Sequence, residues 1–335
     1  MNYQNLKLEK SMYRAGGKNF THTLEMLDPS DNYKDTPLSG LDAFERQLKR
    51  FDIKVSGAGS DMVEKFFATS NSSALFPEYV SRAIRQGMEE TDVLKDIIAT
   101  KTRIDSLDYR SVTSLQSQDD KTLKKVAEGA FLPQTEIKTK SNLVNLIKRG
   151  RLLTASYEAI RYQKLDLFTV TLRQIGAYIS RYQFKDAVDV LIHGDGNDNE
   201  AGYVRPINNN EITYLDLLNL WEIFNEYEMN TLLVSPHIMM RLLQIEEFKN
   251  PATGLNFQAT GKLTTPMGAN LIKSISVPND VIVALDKKCA LEMVSACDVQ
   301  LEYDKLIDCQ LERAAISCIA GFAKLFPEAC YTLKF

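Results

Sequence analysis

Apolar side chains recur at helical spacing near the middle of this 335-residue chain. Successive members lie three or four residues apart, as on one face of an α-helix: Leu165, Phe168, Leu172, Ile175, Ile179 and Tyr182. Asp166 can cap the start, and the Gly-Asp-Gly-Asn run at 194–197 can end the helix. The pattern therefore predicts one helix over 166–193, about 42 Å long.

Shorter helices and strands are predicted on both sides of it. Amphipathic patterns predict helices over 77–87, 91–99, 214–227 and 236–246. Apolar runs and alternation predict strands over 231–235, 271–276, 281–285 and 299–303. Segment 310–326 is apolar, and its pattern does not distinguish a helix from a strand. The mixture is typical of an α+β fold.

The first 73 residues are polar and broken by glycine and proline, which indicates an extended arm with short helices. One helix carries Leu41, Phe44, Leu48 and Phe51 at spacings of 3, 4 and 3, and Ser39 with Asp42 resembles a capping box. A helix this short is marginal alone. Its stripe is expected to pack on another surface, such as a second subunit, which makes Phe44, Leu48 and Phe51 candidate contacts.

The amino-acid composition of residues 101–150 differs from that of the preceding segment and indicates a long two-stranded hairpin that extends from the body of the protein. Thr, Val, Ser, Ile and Lys dominate, with Gly129 and Pro133 breaking the middle. A two-stranded hairpin is marginally stable alone, so this one is expected to lie on a neighbour.

Charge is balanced overall but segregated along the chain. Forty basic and forty-four acidic residues give a net charge of -4, which argues against nucleic acid as the main partner. Residues 121–151 hold eight basic and two acidic residues, whereas 186–230 hold ten acidic residues and one arginine. These +6 and -9 zones either attract each other between copies or are solvated faces. The candidate contacts are Lys121, Lys124, Lys125, Lys138, Lys140, Lys148, Arg149, Arg151, Asp186, Asp189 and Glu200.

No constellation of residues indicates catalysis, a cofactor or a metal. The three histidines lack partners at metal-ligand spacing. Gly57 and Gly59 lack the third glycine of a dinucleotide fingerprint. Asp195, Asn197 and Asn199 are spaced like calcium ligands, but Glu200 replaces the turn glycine, which favours a tight turn. An enzyme is therefore not expected.

The cysteine pattern and the N-terminal sequence bear on the cellular compartment. Five cysteines fall in the last 47 residues without a C-x-x-C pair, which indicates free thiols in a reducing compartment. The first ten residues do not form a signal peptide, and no apolar run is long enough to cross a membrane. We expect a cytoplasmic protein that does not contact membranes.

Seven short motifs, in this order, give the chain a family resemblance over 75–335. They are Leu-Phe-Pro at 75–77, Val-Ala-Glu-Gly-Ala-Phe-Leu-Pro at 126–133, Leu-Ile-His-Gly-Asp-Gly at 191–196, Leu-Val-Ser-Pro at 233–236, Pro-Met-Gly at 266–268, Val-Pro at 277–278 and Val-Gln-Leu-Glu-Tyr at 299–303. The chain thus resembles the major capsid protein of tailed double-stranded DNA bacteriophages, whose head-shell fold encapsulins share.

The resemblance implies an architecture of five parts. An N-terminal arm covers 1–75, and an extended β-hairpin loop covers 104–146. A peripheral domain combines 76–103, 147–199 and 291–335 and includes the spine helix at 166–193. An axial domain covers 200–290.

The resemblance also implies a structural role. Copies would form hexamers and pentamers of an icosahedral head, assembled in the host bacterial cytoplasm, with the extended loop lying across a neighbouring subunit. Because 1–75 is short, scaffolding is expected from a separate protein, beside a portal and double-stranded DNA contacted diffusely. The run 126–133 contains no lysine, so covalent cross-linking is not expected. The alternatives are an encapsulin shell and, more remotely, a cytoplasmic α+β enzyme.

Overall fold

The computed structural model describes residues 3–13, 20–113, 125–129, 131–132, 138–208, 211–249, 265 and 267–335. The chain divides into two compact units. Unit 1 consists of Met1–Asp92, Arg149–Ser180 and Val299–Cys318, and unit 2 consists of Val93–Lys148, Arg181–Asp298 and Ile319–Phe335. Both contain helices and strands, which confirms the α+β class.

The α-helices of the described residues, in chain order, are α1 Phe20–Leu27, α2 Ala43–Arg50, α3 Ser70–Ser73, α4 Phe76–Glu90, α5 Tyr157–Arg161, α6 Leu165–His193, α7 Tyr214–Glu222, α8 Pro236–Leu242 and α9 Glu246–Lys249. The strands are β1 Thr100–Arg103, β2 Val112–Thr113, β3 Lys138–Thr139, β4 Ile147–Ser156, β5 Gly202–Val204, β6 Thr231–Val234, β7 Asn270–Lys273, β8 Val281–Leu285, β9 Leu291–Leu306, β10 Leu311–Lys324 and β11 Cys330–Lys334.

These strands form three sheets in the described part of the chain. One has the order β1-β9-β10-β4, with β1 parallel to β9. The second has the order β5-β11-β8-β6-β7, in which β11 is antiparallel to β8 and β6 is parallel to β7. The third is the short antiparallel pair β2-β3.

The core of unit 1 contains a cluster of aromatic side chains. The ring centroids of Phe76 and Tyr79 lie 5.2 to 6.5 Å from those of Phe66 and Phe168. Residues from the predicted N-terminal arm also enter this core: Leu6, Leu8, Phe20, Leu24, Phe44, Leu48, Ile53, Val63 and Phe66. These sparse apolar residues converge from many short elements, so the segment predicted as an arm contributes to the core of unit 1.

Helix α2 is one of these short elements. Its cap is a capping box between Asp42 and Glu45, one turn later than the predicted Ser39 and Asp42 pair. Phe44 and Leu48 are only 3% and 7% exposed, and Phe51 packs beside them. The surface that this stripe requires belongs to the same chain, so Phe44 and Leu48 leave the set of candidate inter-subunit contacts.

Helices α4 and α6 cross at two glycines. A Cβ at Gly87 would overlap the carbonyl oxygen of Arg173, and a Cβ at Gly176 would overlap the carbonyl oxygen of Ile84. Since neither glycine has a side chain, the two backbones approach closely. The aromatic cluster of unit 1 lies beside this crossing, with Phe76 and Tyr79 on α4 and Phe168 on α6.

Unit 2 is organised around the five-stranded sheet. All residues of β6 and β8 are buried. Helices α7 and α8 contribute Leu217, Leu220, Ile238 and Leu242 to the same core. The strand predicted over 281–285 is confirmed with its bounds, and that over 231–235 is confirmed except for its last residue.

The long helix is confirmed as Leu165–His193, with Gly194 at a φ of +83° beyond its end. Residues up to Ser180 belong to unit 1 and those from Arg181 belong to unit 2. Within its predicted stripe, Leu165, Leu172, Ile175 and Ile179 are buried, Phe168 is half-buried and Tyr182 is exposed. No helix of the described ranges combines the length and the apolar character needed to span a bilayer.

Several local predictions need correction. Segment 91–99 forms a 3-10 turn at Leu94–Asp96 that leads into β1, because Ala99 and the following residues pair with the backbone of β9. Helix α7 ends at Glu222, five residues earlier than predicted, and α8 ends at Leu242. Segment 310–326 contains strand β10, Leu311–Lys324, whose burial alternates with a period of two over 311–320.

Candidate assembly interface

The predicted extended loop leaves unit 2 through two limbs, 100–113 and 138–146, here called the loop root. The two limbs touch through backbone hydrogen bonds from Lys140 N to Ser111 O and from Val144 N to Tyr109 O, both 2.9 Å. The β2-β3 ladder adds two residue pairs, Val112 with Thr139 and Thr113 with Lys138.

The outgoing limb is held by Glu292 of β9, which is 4% exposed. The hydroxyls of Thr102 and Tyr109 donate to Oε1 at 2.5 and 2.8 Å, and the hydroxyl of Ser111 donates to Oε2 at 2.6 Å. Burial and the bond to Glu292 raise the pKa of Tyr109, which keeps this donor protonated. Three donors thus satisfy a carboxylate that would otherwise be costly to bury.

The return limb is held by Asp195, in the turn after α6. Lys140 Nζ lies 2.9 Å from Asp195 Oδ2, and these side chains are 6% and 3% exposed. The backbone N–H of Lys324 donates to the same oxygen at 3.0 Å, and Asn197 Nδ2 donates to Oδ1 at 2.9 Å. Lys140 Nζ also donates to the carbonyl oxygen of Lys324. This limb is therefore bound to the ends of both α6 and β10.

The electrostatics of this cluster favour an ionised Asp195. Burial alone would raise its pKa, but the hydrogen bonds from Asn197 and Lys140 and the charge of Lys140 outweigh burial, so the pKa lies below the usual value. The Lys324 side chain is fully buried, and burial lowers its pKa. Its Nζ donates to Leu191 O at 3.2 Å, at the C-terminal end of α6, where a cation is favoured.

The 194–199 turn needs no calcium to explain its spacing. Asn199 Oδ1 accepts from the backbone N–H of Asp195 at 3.0 Å, and Asn142 N donates to Asn197 Oδ1 at 3.0 Å. The ligand-like side chains are thus engaged with the chain itself, as the tight-turn interpretation expects. Within the described ranges, His, Cys, Asp and Glu form no group that could hold a metal ion.

The described part of the loop tip is exposed throughout. Residues 125–129, 131 and 132 all face solvent, and Phe131 has no area covered by its own chain. Lys125 lies in this stretch and is exposed. Lys121, Lys124 and the side chain of Lys138 lie outside the described residues.

The remaining sequence candidates are scattered. Lys148 and Arg151 are exposed on β4, and Arg149 on the same strand is half-buried. Asp189 is exposed and lies 2.9 Å from His193, one turn later on α6. Glu200 is exposed, and Asp186 is half-buried. The structure brings Lys140 onto Asp195, an acidic residue of the -9 zone in the same chain.

That pairing corrects the prediction for Lys140. Its charge is neutralised by Asp195 of the same chain in a buried setting, so it leaves the set of candidate inter-subunit contacts. Sequence reasoning also missed Glu292 and Lys324. Glu292 lies 181 to 190 positions from its three hydroxyl donors, and no local pattern marks a contact at that separation.

Comparison with protein families gives one match. Residues 139–293, which include the return limb, α6 and most of unit 2, match the model of a family described as phage capsid protein. No curated protein sequence matches the chain.

Solved structures resemble the chain in fold. The capsid of a native GTA particle has a TM-score of 0.54 at 13% identity, covering 75% of this chain and 90% of the other. The virus-like particle from Pyrococcus furiosus has a TM-score of 0.50 at 13% identity, with coverages of 77% and 98%. The SrpI encapsulin from Synechococcus elongatus PCC 7942 has a TM-score of 0.50 at 13% identity, with coverages of 70% and 84%. The predicted resemblance is thus confirmed, and the chain has the fold of tailed-phage major capsid proteins, which encapsulins share.

Proposed function

We propose that this chain is the major structural subunit of an icosahedral phage head. The observation that carries the proposal is the combination of the capsid fold with the phage capsid family match over 139–293. In this role the chain acts through contacts with other copies of itself, and it needs no catalytic residues.

The exposed loop tip supports self-association. A fully exposed phenylalanine beside exposed Leu132 is apolar surface that the described part of the subunit leaves uncovered. A head-to-tail contact repeated around a ring closes that ring, and such rings give the hexamers and pentamers of a shell. We infer that the tip is covered by a neighbouring copy.

The charged contacts in this proposal are a reduced set of the sequence candidates. The basic side is Lys121, Lys124, Lys125 and Lys138 of the loop with Lys148, Arg149 and Arg151 of the adjoining strand, and the acidic side is Asp186, Asp189 and Glu200. Opposite charge on two copies raises the association rate and fixes their orientation. The five-part division of the chain into arm, loop, spine, peripheral and axial regions belongs to this proposal too.

Further partners follow from the role. A separate scaffolding protein and a portal would direct closure, and the shell would enclose double-stranded DNA through diffuse contacts, consistent with a net charge of -4. Assembly would take place in the host bacterial cytoplasm, and the product would be the virion capsid. An encapsulin-type compartment is the second candidate, since an encapsulin shares the fold.

Negative-stain electron microscopy with size-exclusion chromatography of the protein expressed alone tests the proposal. We expect closed shells, tubes or ring-shaped capsomers. Monomers or dimers that persist when crowding agents or scaffolding protein are added would contradict it. A second preparation, with portal and scaffolding proteins present, distinguishes the two candidates. Packaged DNA that co-purifies with the shell would favour the phage head, whereas a protein cargo inside the shell would favour the encapsulin.

A further inference from the structure

The loop root contains two buried carboxylates that hold opposite limbs of one excursion. Glu292 accepts hydrogen bonds from the outgoing limb at Thr102, Tyr109 and Ser111. Asp195 accepts from the return limb at Lys140. Glu292 is 4% exposed, and the side chain of Asp195 is 3% exposed. Neither carboxylate is therefore exposed enough to contact another subunit. Their contacts are instead with the two limbs of the loop.

The two sites are connected through the limbs. Ser111 donates its hydroxyl to Glu292 and accepts the backbone N–H of Lys140, whose side chain reaches Asp195. A small apolar cluster of Val144, Val294 and Ala323, with Tyr109 against it, lies at the same root. Both limbs are thus fixed on the same body, β9 and β10 with the end of α6.

We propose that Glu292 and Asp195 are positioning residues that fix the direction of the extended loop in the free subunit, before it meets a second copy. The inference rests on the proposed function, in which the loop docks on a neighbouring subunit. A loop whose direction is already fixed loses less conformational entropy when it docks. Buried charge-assisted hydrogen bonds are strong and directional, so anchors on both limbs of the loop root can set this direction.

Hydrogen exchange of the free full-length subunit, measured by mass spectrometry, tests the anchors directly. Glu292→Ala leaves three hydroxyls without their acceptor, and Lys140→Met removes the return-limb cation while keeping an apolar stem. We expect amides of 100–113 and 138–146 to exchange about tenfold faster or more in either variant. Amides of β6 and β8 should keep their rates.

Matched variants separate positioning from general damage. Asp105→Asn changes an exposed acid on the same outgoing limb and should leave every rate unchanged. Glu292→Gln retains one acceptor oxygen and should restore part of the protection. Unchanged loop-root exchange in both Glu292→Ala and Lys140→Met would overturn the proposal, as would acceleration spread equally over β6 and β8.

Assembly provides the second measurement. Glu292→Ala subunits that remain folded should form shells at several-fold lower yield than Asp105→Asn subunits. Equal yields with a loosened loop root would also overturn the proposal. If the unmodified chain forms no assemblies, the proposed function fails, while the exchange result still decides whether the anchors fix the loop.

Discussion

A single side chain, Asp195, shows how much one residue contributes to the loop root. Its two carboxylate oxygens accept from the Lys140 ammonium, the backbone N–H of Lys324 and the amide of Asn197. One short side chain therefore binds segments that lie 55 and 129 positions away along the chain. A buried charge persists only when its hydrogen-bonding capacity is met in this way.

The depressed pKa of Asp195 predicts an acid-sensitive contribution to stability. Because the folded-state pKa lies below the reference value of 3.8, the stabilisation is complete above that value and is lost as pH falls through the folded-state pKa. Burial lowers the pKa of Lys324, so the stability that its protonated form costs is lost as pH falls from the reference value of 10.5 to its folded-state pKa. We expect the thermal unfolding midpoint to fall steeply below about pH 4.

Asp195→Asn is the variant that isolates this effect. It should lower stability at neutral pH by about 3 to 5 kcal/mol, since it leaves the buried Lys140 ammonium without its counter-ion. Its unfolding midpoint should also depend less on pH in the acid range, as measured by circular dichroism. A pH dependence identical to that of the unmodified chain would contradict the assignment.

At the scale of elements, the crossing of α4 and α6 determines the core of unit 1. Two glycines allow the helix backbones to touch, and the aromatic cluster fills the space beside them. Gly176 lies in the middle of a 29-residue helix, where glycine would otherwise cost about 1 kcal/mol relative to alanine. The close packing that it permits offsets this cost.

Gly176→Ala therefore should destabilise the subunit despite the better helix propensity of alanine. The added Cβ overlaps the carbonyl oxygen of Ile84, and relieving that overlap by moving two packed helices should cost about 1 to 3 kcal/mol. Gly59→Ala is the control, since no atom lies within 4 Å of its Cβ position and its φ is not in the left-handed region. Urea unfolding should separate the two variants; equal midpoints would exclude the close crossing.

At the scale of the whole molecule, charge segregation acts within one copy, and we propose that it also acts between copies. The +6 and -9 zones meet inside one subunit at Lys140 and Asp195. Other members remain at the surface, including Lys125, Lys148, Arg151, Asp189 and Glu200. Surface pairs of this kind contribute little individually, so any effect on assembly comes from their number and depends on salt.

Reversing the loop charge tests this contribution. Lys124→Glu with Lys125→Glu should lower the yield of assembled particles and weaken its dependence on ionic strength, because attraction to the acidic zone of a neighbour becomes repulsion. Lys7→Glu is a control on an exposed lysine outside the basic zone. Light scattering across a salt series measures both variants. Unchanged yield and salt dependence in the double variant would reject the charge pairing.

The sequence by itself determined the features that depend on neighbours along the chain. The apolar stripe predicted the bounds of α6 to within one residue, because a helical period depends only on residues three or four positions apart. The apolar runs fixed β6 and β8 for the same reason. Ordered short motifs also gave the family resemblance and hence the capsid fold. Alternation in β10 was visible, but its apolar content matched a helix as well.

Only the tertiary structure decided which distant residues meet. The residues at 1–75 join the core of unit 1 because their apolar side chains converge from separate short elements, a pattern without any period. Lys140 joins Asp195, and Glu292 joins Thr102, because the limbs of the loop return to the same end of α6 and β9. The charge zones along the sequence indicate attraction, but burial and distance show that Lys140 and Asp195 pair within one subunit.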